Sequence, residues 1–260
     1  NAAEDGHLGH AIRAFESVAL TALQELQADL ADMTYRPGPI TEVNIDVNGK
    51  KRTLRLSTVR DRVVERALQD VLTPILDPTL TPFSYGFRRG LGVKDAIAQL
   101  AQFRDEGATH VLRLDVRSAF DEIPRLGIID ALRGRLPDER IVELIARLLS
   151  RLDKEGLPGR GIAQGSSLSP LLLNLYLDPL DRSMLALGYR ILRFADDIAI
   201  PCTSETQALD ALVAVSDVLA SLDLEPNDSK TQIDDFDTGV AFLGTTLHAH
   251  GGSAVALERP

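Results

Sequence analysis

The 260-residue sequence predicts an α+β fold in two lobes. The second lobe holds an antiparallel sheet with helices packed on one face. Three observations carry that reading. "EVNIDVNGKKRTLRL" alternates apolar and polar residues on either side of Asn48-Gly49, as a β-hairpin does. "HVLRLDV", "YRILRF", "DIAIPC" and "VAFLGTTL" are short strand-like runs separated by helical patterns. Ahead of them, apart from the one basic hairpin, the first half of the chain is mostly at helical spacing.

Residues 7–33 place Leu8, Ile12, Phe15, Leu20, Leu23, Leu26 and Leu30 at near-helical intervals, which predicts one amphipathic helix ended by "YRPGP". In the hairpin, Val43, Ile45 and Val47 alternate outward and Leu54 and Leu56 on return. The returning strand carries Lys50, Lys51, Arg52 and Arg55. A helix follows over about 59–75, stopped at Pro78. "SYGFRRGLG" is a loop leading to a helix near 93–104. "HVLRLDV" is a strand ending at Asp115. Helices are predicted over 125–134 and 138–151. The Gly-rich "LPGRGIAQGSS" then leads to a helix with Ser169 as N-cap and Pro170 in its first position. "YRILRF" and "DIAIPC" form a second hairpin around Ala195-Asp196-Asp197. A helix over 205–222 and a short strand in "VAFLGTTL" complete the series.

Hydrophobic content of 44% and charged content of 25% fit a globular protein. No apolar run reaches the roughly 18 residues of a membrane helix, so no membrane partner is expected. The single Cys202 excludes an internal disulfide, no Cys/His cluster offers a zinc site, and a cytoplasmic location is expected. The chain opens on Asn1 rather than Met, which fits a piece of something longer. Net charge is −10, yet residues 36–104 carry twelve Lys/Arg against seven Asp/Glu, and residues 201–260 carry two against ten. A basic front and acidic back suit a protein that meets a polyanion on one side; ordinary solvated charge gives the same count.

The neighbouring carboxylates of Asp196 and Asp197 lie in an otherwise apolar hairpin. Either they form an ordinary polar turn, or they converge with Asp115 at the end of a neighbouring strand. In the second case the repulsion calls for a divalent cation, and Mg²⁺ prefers such oxygen ligands together with substrate phosphates. Two ions about 3.5–4 Å apart would clamp an in-line phosphoryl displacement. His7, His10, His110, His248 and His250 fall at no ligand spacing around these carboxylates.

The series "SYGFRRG", "LDVRSAFDEI", "QGSSLSPLLLNLYL", "RFADDIAI", "SKTQI" and "FLG" resembles bacterial reverse transcriptases of the group II intron-like lineage, over about residues 36–247. The resemblance implies a right-hand polymerase with an N-terminal helix over 1–35 and fingers over 36–108. It implies a palm over 109–247, with some fingers elements between 138 and 168, and a tail or linker over 248–260. It further implies an RNA-directed DNA polymerase, a nucleotidyltransferase that adds deoxynucleoside triphosphates (dNTPs) to a DNA or RNA primer on an RNA template. The cofactor is two Mg²⁺ ions, for which Mn²⁺ substitutes.

Carried over by position, Asp115, the Val116 carbonyl, Asp196 and Asp197 are the metal ligands, and Lys230 faces the leaving pyrophosphate. Phe120 is the ring under the incoming sugar, and Gln164 and Gly165 line the nucleotide pocket. Arg52 grips the triphosphate, with Lys51 or Lys50 beside it. Tyr85, Arg88, Phe194, Phe242 and Gly244 lie along template and primer. Read without the resemblance, Phe120 is a core residue, and Lys230 is equally a solvated helix-end lysine.

Phe194 stands where the family usually has Tyr, Ala163 where Pro is common, and "RTLRLS" departs from the usual Pro-containing fingers strand. No thumb follows Gly244, so a partner is expected to supply the clamp. Such short forms resemble modules that work with Cas1 and Cas2 in CRISPR spacer acquisition from RNA. Stand-alone antiphage or retroelement enzymes are an alternative, and so is an RNA-binding or assembly module that keeps the fold without catalysis.

Overall fold

The computed structural model describes residues 2–47, 50–155 and 158–249, without the side chains of 2–8, 47, 50–52, 154 and 155. The Asn48-Gly49 turn and residues 250–260, including His250, lie outside the described residues.

The predicted first helix is two helices, α1 (Ala2–Glu16) and α2 (Ala19–Ala31). The step from Phe15 to Leu20 is five residues, which rotates the apolar stripe off a straight helix of 3.6 residues per turn. Only Leu26 of this stripe is buried among the described side chains; Ile12, Leu20 and Leu23 stay exposed.

Strands β1 (Thr41–Val47) and β2 (Lys50–Leu56) pair antiparallel, with Ile45 opposite Arg52 and Asp46 opposite Lys51. Helix α3 (Val59–Leu76) is capped by the Thr58 hydroxyl, which accepts from the Asp61 amide. A buried ionic network anchors α3 to the rest of the chain. The Arg151 guanidinium donates to Asp61 Oδ2 at 3.1 Å and to Glu65 Oε1 at 2.8 Å, and the Tyr35 hydroxyl donates to Asp61 Oδ1 at 2.5 Å. Two buried carboxylates are tolerated because each has a cation and further donors.

Helix α4 (Val93–Asp105) leads to β3 (His110–Asp115). The short α5 (Ala119–Glu122), α6 (Arg125–Arg133) and α7 (Glu139–Ser150) follow. Helix α8 (Ser169–Ala186) begins one residue earlier than expected. Leu168 is its N-cap, and Ser169 is buried inside the first turn with Pro170 behind it. Strands β4 (Leu192–Phe194) and β5 (Asp197–Cys202) flank a two-residue turn, and α9 (Glu205–Ser221) follows. The "QIDD" segment is an additional strand, β6 (Gln232–Asp235), which the sequence reading lacked. "VAFLGTTL" is a hairpin of β7 (Val240–Phe242) and β8 (Thr245–Leu247) rather than one strand. Positive φ at both Leu243 and Gly244 gives a tight turn of the type that closes hairpins. His248 and Ala249 are docked, not loose: the His248 carbonyl accepts from Arg104 and the Ala249 amide donates to the Phe236 carbonyl.

The central sheet runs β4-β5-β3-β6, antiparallel throughout. Strand alternation divides its side chains. Leu112, Leu114, Ile198 and Ile200 join α8 and α9 in the main core. Val111, Leu192 and Ala199 meet Leu100 and Phe103 of α4 and Phe242 of the small hairpin on the opposite face. A sheet packed on both sides leaves only its strand ends open, and β3 and the β4–β5 turn end on the same edge.

Candidate active site

Asp115, the last residue of β3, pairs directly across from Asp197, the first residue of β5. Such cross-strand partners hold their Cβ atoms about 4.5–5.5 Å apart. The turn Ala195-Asp196 brings the third carboxylate to the same edge, and the Val116 amide donates to the Asp196 carbonyl at 3.1 Å. The three aspartates therefore share one end of the sheet. Asp115 is buried, Asp196 half-buried and Asp197 exposed.

Burial, and then the Asp115 and Asp197 charges, push the Asp196 carboxyl up to about 6. Burial and Asp115 raise Asp197 as well. The local arginines are committed elsewhere, and only Arg113 draws Asp197 back down in part. Arg193 is buried on Asp181, Arg113 pairs with Asp234, and Arg117 pairs with Glu225. The cation present is Lys230, whose Nζ donates to Asp115 Oδ2 at 2.7 Å. That bond holds its ammonium above the usual lysine range.

These residues fit a divalent cation by donor chemistry, being hard oxygens with an unmet demand for positive charge. As they stand, no group of three or more His, Cys, Asp or Glu among the described residues is set to hold a metal ion. Lys230 occupies the Asp115 oxygen that such an ion would take.

Above the carboxylates lies a cleft of about 1090 Å³. Its lining includes Asp115, Asp196, Asp197 and Lys230, and the expected Phe120, Gln164 and Gly165. Gly165 has φ +110°, and a Cβ there would reach Leu56 at 3.4 Å and the Arg55 carbonyl at 3.6 Å, so the β2 strand passes close above it. The Arg55 amide donates to the Gln164 carbonyl at 2.9 Å, which docks β2 against this segment. Arg52 and Lys51 lie on β2, their side chains outside the described residues. The next residues of the strand, Thr53, Leu54 and Arg55, line the cleft.

The sequence reading missed Arg55, Arg62 and Arg66 as cleft residues, while Phe87, which it set in a segment near the template, does line the cleft. Arg62 and Arg66 stand one turn apart on α3, at the i, i+4 spacing of one helix face, a signal the sequence did carry. Arg55 pairs with Glu42 and, across to α5, with Asp121 at 2.7 Å. Phe87 is 59% exposed at φ +60°.

Two expected template residues are placed elsewhere. Tyr85 is buried beside Leu100 and Phe103. Arg88 is committed within the fold, to the Asp77 carboxylate and to the carbonyls of Asp77, Thr81 and Ser84. Phe194 is half-buried and packs against the same cluster as Tyr85. Phe242, with Leu243, Asp115, Asp197 and Lys230, lines a smaller recess of about 290 Å³ at the sheet edge. Gly244 closes the β7–β8 turn at φ +77°.

The α+β core thus sets paired aspartates at the edge of an antiparallel sheet, beneath a cleft. The family model "Reverse transcriptase (RNA-dependent DNA polymerase)" matches residues 40–247. The chain belongs to the reverse transcriptase family. Polymerases of this family generally use divalent metal ions. It is similar to Protein YkfC of Escherichia coli (strain K12), 33% identical over 174 residues, 62% of this chain and 44% of that protein. It is also similar to the group II intron-encoded protein LtrA of Lactococcus lactis subsp. cremoris, 28% identical over 185 residues, 69% of this chain and 31% of that one. Telomerase from Candida albicans, solved with a fragment of telomeric RNA, shares the fold, with a TM-score of 0.62 at 14% identity over 82% of this chain and 44% of that one. The chain spans less than half the length of each of these proteins. No helix among the described residues is long and apolar enough to cross a membrane.

Proposed function

We propose that the chain is the fingers (36–108) and palm (109–247) of an RNA-directed DNA polymerase that adds dNTPs to a primer 3′-hydroxyl. The observation that carries this reading is the nearness of Asp115, Asp196 and Asp197 in a cleft that Arg55, Arg62 and Arg66 also line. An anionic floor can share a site with a triphosphate only when cations stand between them.

Asp115, Asp196, Asp197 and the Val116 carbonyl would hold two Mg²⁺ ions, or Mn²⁺ in their place. Once bound, these supply charge neutralisation at the α-phosphate and an activated 3′-hydroxyl. The chain's own residues do the rest. Arg62 and Arg66, with Arg52 on the adjoining strand, bind triphosphate oxygens, a task suited to the guanidinium fork. Gln164 and Gly165 border the nucleotide, and the Phe120 ring stands where a 2′-hydroxyl would lie. Lys230, whose ammonium reaches Asp115 from the edge of the cleft, would donate toward the departing pyrophosphate. Phe242 and Leu243 border the primer end.

The intron-type relative LtrA favours a retroelement-like enzyme over one coupled to Cas1 and Cas2. A catalytically retired RNA-binding module is disfavoured by the Asp196 site, because a raised carboxyl beside two others is destabilising and gives such a module nothing in return. The test is primer extension on poly(rA)/oligo(dT) with Mg²⁺, comparing the chain with an Asp196→Ala, Asp197→Ala double variant. Incorporation by the first and none by the second is expected; equal incorporation by both overturns the assignment.

A further inference from the structure

The turn that carries Asp196 stands on a buried polar network that none of the steps above uses. Arg193, in the middle of β4, is 1% exposed. A guanidinium at that depth is strongly destabilising unless every donor is placed. Here Nε and Nη2 donate to the Asp181 carboxylate of α8 at 2.9 and 2.7 Å. Nη1 donates to Asn174 Oδ1 at 2.8 Å and to the Ala195 carbonyl at 3.0 Å. Both partners are themselves held: Asn174 Nδ2 donates to the Gly86 carbonyl at 2.7 Å, and the Thr81 hydroxyl donates to Asp181 Oδ2 at 3.1 Å.

The backbone on the other side is fixed as well. The Arg193 amide donates to the Phe83 carbonyl at 2.9 Å, and the Tyr85 amide donates to the Arg193 carbonyl at 2.8 Å. Held on both sides, Arg193 reaches one peptide unit of the turn through its bond to the Ala195 carbonyl. Ala195 has φ +59°, a left-handed conformation unfavourable for a residue with a Cβ. Hairpins that need such a residue ordinarily use Gly, Asn or Asp. The Ala195 carbonyl and the Asp196 amide belong to the same rigid plane. Fixing the carbonyl fixes the Asp196 amide and Cα, the base from which its carboxylate leaves the turn.

We propose that Arg193 is the positioning residue for Asp196, with Asn174 and Asp181 aligning its guanidinium. Its link to catalysis rests on the polymerase reading above; its link to metal binding does not. Arg193→Lys keeps a cation beside Asp181 but not the fork that reaches Asn174 and Ala195 together. Asn174→Ser keeps the Arg193–Asp181 pair and removes one anchor.

The experiment measures Mn²⁺ binding by electron paramagnetic resonance, thermal unfolding in chelator, and primer extension, on wild type and both variants. Mn²⁺ affinity and kcat are each expected to fall about 10–100-fold in Arg193→Lys, the range for groups that orient metal ligands, and in the same direction by less in Asn174→Ser. KM for the dNTP stays within a few-fold. Variants that melt earlier but bind Mn²⁺ like wild type, and extend primers at the wild-type kcat below their melting point, would make the network merely structural. Should Arg193→Lys fail to fold, Asn174→Ser decides by the same two readouts. Wild type that binds Mn²⁺ but extends no primer defeats the polymerase reading, while weaker Mn²⁺ binding by the variants still upholds the positioning role.

Discussion

Asp196→Asn is expected to stabilise the metal-free protein while destroying the site. The carboxyl is pushed from its ordinary value of 3.8 up to about 6, by burial first and then by Asp115 and Asp197. A raised carboxyl means that the folded state holds its proton more tightly than the unfolded chain. Below pH 4 both states are protonated and the site is neutral in its effect. Between pH 4 and 6 the folded state becomes progressively disfavoured, and above pH 6 the full penalty applies. At about 1.4 kcal/mol per pH unit the interval amounts to about 3 kcal/mol, and partial exposure of the side chain reduces that to about 2 kcal/mol.

For a chain of this size, about 2–4 °C of melting temperature per kcal/mol gives a gain of about 4–8 °C. The assay is thermal unfolding in EDTA at pH 4 and pH 7.5. Asp196→Asn should melt with the wild type at pH 4 and above it at pH 7.5, and added Mg²⁺ should reverse the order by stabilising only the wild type. A variant that melts at or below the wild type at pH 7.5, or by the same difference at both pH values, would refute the electrostatic account.

Lys230→Met should lower the melting temperature in chelator at pH 7.5 and enlarge the rise produced by Mg²⁺, because no ammonium then competes for Asp115; an unchanged rise contradicts that competition. Phe120→Ala should admit ribonucleoside triphosphates, read as the ratio of kcat/KM for ribo- and deoxynucleotides, and an unchanged ratio removes the ring from sugar selection. Gly86→Ala would set a Cβ 2.4 Å from the Ala195 nitrogen, a backbone contact no side-chain rotation relieves, so a loss of about 1–3 kcal/mol in denaturant unfolding is expected together with lost extension. Arg151→Met leaves Asp61 and Glu65 buried without their cation and should destabilise by about 3–5 kcal/mol, measured by urea unfolding at pH 7.5.

Local pattern made several elements readable. Alternation in 41–56 marked the β1–β2 pair, and the apolar runs around Asp196-Asp197 marked β4 and β5. The meeting of Asp115 with those residues was read from the run of motifs, because their pairing spans some eighty residues of chain that no local rule connects. What escaped was set by distant partners. β6 is a polar edge strand whose Asp234 is held by Arg113, so "QIDD" shows no apolar alternation. Lys230 was expected in the site, but its ion pair with Asp115, 115 positions away, was not legible. Arg88 had the charge of a nucleic-acid contact but is consumed by Asp77 and three carbonyls, whereas its neighbour Phe87 points out at the cleft. The α1–α2 break was hidden because the expected stripe is largely not buried.

Anomalous scattering from crystals of the chain grown with Mn²⁺, a dNTP and a primer–template locates the metal directly. The account predicts manganese within about 2–2.3 Å of carboxylate oxygens of both Asp115 and Asp196, with Lys230 moved off Asp115. Manganese bound only elsewhere, with the Lys230–Asp115 pair intact beneath a bound nucleotide, would contradict it.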